Sequence, residues 1–364
     1  MNRRRFVAGA SVGIAASASV LPMPAIAQGV RELKMVTTWP RTLPGLGSGA
    51  ERLARSITAL SGQRLNVKVF AAGELVGAFE SFDAVSSGLA DMYHASEIAW
   101  EARSPAFPYF CNVPFGFTAA EINSWIYFGG GQALWDELSA GFGLKPFLCG
   151  NTGAQMGGWF TKEIAGVESY KGLRYRMPGL GGEVLRRLGA VVVNLPGGEI
   201  IPSLRSGAID ASEFVGPWND MALGLHKAAK YYYYPGFHEP GAAISLAVNR
   251  RLWNSLGATE RTIIESAAAA ENDRSLADFT ANNAIALQKL GDDPTIEIRK
   301  LDDTILQALG AISGEVLAET GRKDDLTRRV YDSFIRFRAA TVRWGDISER
   351  SYLNARALPF PFGG

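Results

Sequence analysis

ELKMVTTW (residues 32–39), RLNVKVF (64–70) and ADMYHA (90–95) are three short apolar runs, and what separates them decides the fold. Each has the length and patterning of a strand. Pro40 closes the first. An amphipathic helix is expected over about 49–60, where Leu53, Ile57 and Leu60 share one face. A second helix is expected over 74–87. The order β-α-β-α-β favours a parallel sheet with helices on its faces.

A second cycle starts near Pro146. Strands are expected over 147–151, 158–160, 173–177, 190–194 and 208–215, with helices over 182–188 and 199–206. The last third reads as helical, over 258–290, 302–319 and 323–350. The first of these is Ala-rich and holds no Pro or Gly. The expected architecture is therefore α/β: lobe 1 over 28–150, with later segments returning to it, and lobe 2 over 151–245. A helical connecting and C-terminal region follows over 246–364. Two such lobes leave a crevice that strand ends can line.

The chain has 364 residues, 37 Lys+Arg against 36 Asp+Glu, and 47% hydrophobic residues. This is a globular composition with room for two cores. Near-neutral charge gives no nucleic-acid footprint. Two Cys and three His argue against a Cys/His zinc site and a disulfide-dense scaffold. Cys111 and Cys149 are expected as two buried free thiols.

Arg3, Arg4 and Arg5 precede Phe6, an Ala/Ser-rich run follows, and Ala25-Ile26-Ala27 precedes Gln28. This reads as an export signal of the twin-arginine type over 1–27, removed after Ala27. Losing three arginines turns the balance slightly acidic. No later run reaches the ~18 apolar residues of a spanning helix, so a soluble protein of the periplasm is expected.

Among enzyme signatures, G-x-S-x-G, H-E-x-x-H and the phosphate-binding G-x-x-x-x-G-K-[ST] are absent from the sequence. Gly45, Gly47 and Gly49 lack dinucleotide-binding spacing and read as a turn. Cys149 has no nearby His to activate it. His226 and His238 read as satisfied surface or turn residues.

Four segments stand out. GNTGAQMGGW (150–159) is too Gly-rich for a plain strand, and glycines let backbone approach a ligand closely. GLRYRM (172–177) embeds Arg176 in a strand-like run, and its planar fork can hold a carboxylate by two parallel bonds. IDASEFVGP (209–217) ends a strand on Glu213, whose carboxylate is costly to bury without a cation. YYYYPGFHE (231–239) reads as packing between domains or as a pocket wall with Glu239 at its edge. Together Arg176, Glu213, Glu239 and Gln155 suggest one composite site. Arg176 would clamp a small anion, and the oxygen ligands would hold a hard cation.

At these residues the sequence resembles the periplasmic solute-binding subunits of tripartite ATP-independent periplasmic (TRAP) transporters. It is most similar to the branch that binds 2-oxo acids such as pyruvate. The resemblance runs from about Leu33 to about Tyr352 and is strongest at 150–160, 172–176, 213–217 and 231–236. It implies two α/β domains joined by long helices and closing over the ligand. Arg176 matches the arginine that clamps the substrate carboxylate. Gln155 matches a glutamine touching both cation and substrate. Glu213 matches an acidic cation ligand, and Glu239 a further acidic residue at the site. Phe214 stands where the family usually has Trp. The ligand there is the backbone carbonyl, so the change should be tolerated. After His94, where the branch is Tyr-rich, this chain has Ser96-Glu97-Ile98-Ala99-Trp100-Glu101. That stretch is expected to line the pocket, so the change leaves oxo versus hydroxy acid and chain length open. Trp100 and Trp218 are the expected apolar wall, with His94 a polar one.

The expectation is a binding protein, not an enzyme. It would capture a small 2-oxo or 2-hydroxy monocarboxylate, pyruvate- or lactate-like, with Na⁺ or Ca²⁺, and deliver it to a TRAP membrane permease. The long C-terminal helix allows a homodimer. A metal-dependent lyase or hydrolase acting on small oxo acids is the rival. It would need a base near the reacting carbon, and none is evident among the three His, Lys162 or Lys171. A third reading is a binding protein for sugar acids.

Overall fold

In the computed structural model, residues 29–361 are described; the export signal expected over 1–27 lies outside them. The strands in chain order are β1 (Arg31–Thr37), β2 (Leu65–Phe70), β3 (Met92–Ala95), β4 (Leu144–Asn151), β5 (Gly158–Phe160) and β6 (Arg174–Arg176). They continue with β7 (Val191–Val193), β8 (Ala211–Ser212), β9 (Tyr231–Tyr234), β10 (Ala243–Asn249) and β11 (Glu297–Lys300).

Alternation places Leu33 and Met35 of β1, and Leu65, Val67 and Val69 of β2, in the core. Helix Leu46–Leu60 joins the two strands and buries Ala50, Leu53 and Ile57 on its inner face. Helix Ser81–Ser87 leads to β3, and both pairings of β1 are parallel, as the β-α-β-α-β reading requires. The first sheet has the order β2-β1-β3-β10-β4 and the second β11-β9-β5-β8-β6-β7.

The second half departs from the simple repeat. β4 does not open a second sheet; it pairs antiparallel with β10 at the edge of the first. β10, a strand the sequence reading missed, is buried along its whole length. Burial on both faces erases the alternation that marks a strand. The four tyrosines of β9 pair with β5 and β11 inside the second sheet. Trp159 stacks on Tyr232 with ring centroids 4.0 Å apart. β11 comes from the region expected to be helical.

Helix Ala258–Gly291 spans 34 residues, about 50 Å at 1.5 Å per residue. It packs on β4 and on helices Leu46–Leu60 and Pro217–Leu223. Arg52 ties it down through Glu271 at 2.7 Å and Asp278 at 2.8 Å. Helices Asp303–Thr320, Asp325–Ile347 and Glu349–Arg356 end the fold, and the last buries none of its residues. Cys111 and Cys149 are both free and buried. Among the described residues, no helix is long and apolar enough to cross a membrane.

The chain passes between the sheets where β4 runs on to β5, where β9 runs on to β10, and again between β10 and β11 through helix Ala258–Gly291. Gln155 lies on the first crossing, His238 and Glu239 on the second.

Candidate functional site

A cavity of about 70 Å³ lies between the two sheets. Trp39, Ser96 and Ile98 line it from the first-sheet side, Arg176, Pro178, Glu213 and Phe214 from the second. Gln155, Glu239 and Thr152 line it from the crossings. A second space of about 60 Å³ adjoins it, sharing Trp39, Ser96, Ile98, Arg176, Pro178 and Phe214 and adding Phe79 and Ala99.

Arg176 ends β6, and its side chain is held from three directions. Nε donates to the Leu195 carbonyl at 3.0 Å, and Nη1 to the Glu213 carbonyl at 3.0 Å. Nη1 also donates to the Glu213 carboxylate in a buried ion pair. The Phe214 ring lies under the guanidinium, 5.9 Å from centroid to Cζ. With its Nε edge taken, the fork presents Nη2 to a ligand, a narrower offer than the free two-bond clamp expected from sequence.

Glu213 follows β8 and is shared: its other oxygen meets His238 Nε2 at 3.1 Å. Burial works against a charge on His238, but the Glu213 carboxylate outweighs it and shifts the imidazole upward. Gln155 Nε2 donates to Glu239 at 2.7 Å and to Thr152 Oγ1 at 3.1 Å. Burial pushes the Glu239 carboxyl up to about 7, and the Glu213 charge pushes the same way.

The donor chemistry fits a hard cation. Gln155 Oε1 is buried and, among the described residues, has no hydrogen-bond partner; such an orphan costs free energy unless something meets it. Glu213 and Glu239 lie close enough for each charge to disfavour the other, so a cation placed between them would relieve that repulsion. No group of three or more His, Cys, Asp or Glu side chains gathers as a metal cluster among the described residues. The offered oxygens are therefore the two carboxylates, the Gln155 amide and backbone carbonyls, the set a Na⁺ or Ca²⁺ ion takes.

The other expected wall residues sit elsewhere. Trp100 is 2% exposed in the aromatic core, its ring centroid 5.3 Å from that of Phe82. Trp218 packs edge-on against Phe279 at 5.4 Å. Neither lines the cavities. His94 is buried behind the wall and accepts from Trp39 Nε1 at 2.8 Å. Burial pushes it down to about 3, so it is a neutral acceptor that orients Trp39. Trp39 thus takes the place expected of Trp100, and an aromatic residue ending an apolar run gives no sign of which face it will meet. The glycines of 150–159 serve the chain itself: a Cβ on Gly158, at φ +123°, would overlap Tyr175 Oη. His238, read from sequence as a turn residue, is a buried partner of Glu213. Its position beside Glu239 was the available signal.

Residues 35–324 match the bacterial extracellular solute-binding protein family 7. A monocarboxylate 2-oxoacid-binding periplasmic protein of Nostoc sp. is 41% identical over 321 residues, 88% of each chain. A TRAP periplasmic solute-binding protein of Colwellia psychrerythraea, solved with calcium and pyruvate, is 34% identical. Its TM-score is 0.87, over 90% of this chain and 100% of that one. Its counterpart from Pseudoalteromonas atlantica T6c, solved with sodium and pyruvate, is also 34% identical with a TM-score of 0.87, over 90% and 99%. The chain belongs to family 7 of the bacterial extracellular solute-binding proteins. It is a periplasmic binding protein of the TRAP type, and the family is one of binding proteins, not enzymes.

Proposed function

We propose that this protein captures a small 2-oxo or 2-hydroxy monocarboxylate, pyruvate- or lactate-like, together with Na⁺ or Ca²⁺, and hands it to a TRAP permease. Arg176 binds the carboxylate through Nη2. Glu213, Glu239, Gln155 Oε1 and the Phe214 carbonyl hold the cation, which in turn meets the carboxylate and the 2-oxygen. One observation carries this reading: a buried amide oxygen without a partner beside two carboxylates and one arginine.

A thermal-shift series with pyruvate and lactate, each with calcium, with sodium and after chelation without sodium, tests it. A ligand at 100 times its Kd stabilises by about 2.7 kcal/mol. Pyruvate should stabilise only when a cation is present. Equal stabilisation in cation-free protein would sink the cation part, and no stabilisation by any acid would sink the whole.

The partner on the C-terminal face is proposed to be a second copy of this chain. Trp344, Ile347, Tyr352 and Leu353 are exposed on the last two helices, beside a groove of about 600 Å³. That groove also holds Phe115, Glu121, Arg338 and Arg350, so apolar and charged groups are both offered to the same two helices of a partner. Light scattering should give a dimer for the native protein and a monomer for Trp344→Glu; a native monomer would refute the assembly.

A further inference from the structure

Asp220 lies in helix Pro217–Leu223, 1% exposed, and nothing so far gives it a task. Its carboxylate accepts three hydrogen bonds. The Val215 N–H reaches Oδ1 at 3.1 Å. Trp159 Nε1 reaches Oδ2 at 3.1 Å, and Tyr232 Oη reaches the same oxygen at 2.7 Å. Trp159 and Tyr232 are fully buried in the second sheet and stacked on each other, so they fix the carboxylate from behind.

The Val215 N–H belongs to the same peptide unit as the Phe214 carbonyl. A trans peptide is planar, and its C=O and N–H point in opposite directions. Fixing the N–H on Asp220 therefore fixes the Phe214 carbonyl pointing away from helix Pro217–Leu223. The flanking groups are also held. The Glu213 carbonyl accepts from Arg176, and the Val215 carbonyl accepts from the Met156 N–H at 3.1 Å. Among the described residues, the Phe214 carbonyl accepts no hydrogen bond. It is the one carbonyl of residues 213–215 left over, and Glu213, Phe214 and Val215 all line the cavity.

We infer that Asp220 is a positioning residue: by holding the Val215 N–H it aims the Phe214 carbonyl at the cation site. The inference rests on the cation site proposed above. Asp220 does not touch the ion. It acts as the outer partners of metal ligands do, and loss of such a partner typically costs 10–100-fold in metal affinity.

Calcium titrations of the intact protein by calorimetry, without carboxylate ligand, test this. Asp220→Ala should bind calcium at least 10-fold more weakly than wild type. Tyr232→Phe removes one donor to Asp220 but leaves the Val215 bond, so it should lower apo stability while calcium affinity stays within 2-fold. If Asp220→Ala does not fold, Asp220→Asn decides. Its amide offers one acceptor oxygen for donors on two sides, so calcium affinity should fall at least 3-fold. Asp220 variants with wild-type calcium affinity overturn the role of Asp220 alone. So does Tyr232→Phe weakening calcium as much as Asp220→Ala, since loosening of the core would then account for both. A wild-type protein that binds pyruvate but neither calcium nor sodium overturns the cation site, and the role of Asp220 with it.

Discussion

Arg176→Ala should damage the empty protein as well as ligand binding. The side chains of Arg176 and Glu213 are only 8% and 1% exposed. Taking one partner from a buried pair strands the other charge, at a typical cost of about 3–5 kcal/mol. The half-buried Leu195 carbonyl loses its donor in the same step, while the buried Glu213 carbonyl keeps only the Ser212 hydroxyl. The imidazole of His238, 3.1 Å from Glu213, offsets part of this by taking a proton. Urea unfolding of the ligand-free variant should therefore show a loss of about 3 kcal/mol. Arg176→Ala/Glu213→Gln should recover at least ~1 kcal/mol of it, because the stranded charge is gone. Neither variant should bind pyruvate in a calorimeter. An Arg176→Ala protein within ~0.5 kcal/mol of wild type, or a double variant no more stable than the single, would show that the pair does not carry the charge balance of the site.

Two further outcomes follow from the structure. Burial raises the Glu97 carboxyl from 4.5 to about 7. A carboxyl with a folded pKa above its unfolded value stabilises fully below about 4.5, and that contribution is lost as pH rises through about 7, roughly 3 kcal/mol in all. Asp220 and Glu239 also lie near 7, so the readout is the difference between proteins: Glu97→Gln should lose less stability than wild type between pH 5 and 8, and parallel curves would refute it. Gly179 has φ +64° and its backbone faces Ile98, which lines the cavity, so a Cβ there would overlap the Ile98 side chain. Gly179→Ala should weaken pyruvate binding at least several-fold and Ile98→Ala should restore much of the loss; unchanged affinity would mean that this contact does not shape the cavity.

Much of the first sheet could be read in the sequence because β1 and β2 are half-buried strands with a visible period of two. β10 could not, since all seven of its residues are buried. Its partners β3 and β4 lie far away in sequence, so no local signal says that it returns to the first sheet. The site divides the same way. Arg176 and Glu213 were legible because charged residues embedded in strand-like runs are unusual there. Ile98 falls in the 96–101 stretch that the family resemblance marks as pocket-lining; Trp39 and His238 were not legible, because aromatic residues beside turns look alike until the crossings are known. Asp220 was hidden more thoroughly: a polar residue in a short helix looks solvated, and only the fold brings Trp159 and Tyr232 to it.

The placement of the donors also sets the order in which charges should assemble. Among the described residues, Glu213 is satisfied by Arg176 and His238, whereas Gln155 Oε1 has no hydrogen-bond partner. An anion arriving first would have to compete with Glu213 for Arg176 and would face Glu239 as well. A cation arriving first meets the orphan oxygen, draws on both carboxylates and loosens the hold of Glu213 on the guanidinium. Arg176 then faces the cavity with a weaker internal partner, and the site gains a positive charge for the incoming carboxylate. On the proposed site each ion would strengthen the binding of the other, and thermodynamic reciprocity requires the factor to be the same in both directions. A cation held as proposed would also span Glu213, at the exit of β8, and Gln155 and Glu239, on the segments that cross between the sheets. Filling such a site would tie the second sheet to the segments that cross between the sheets.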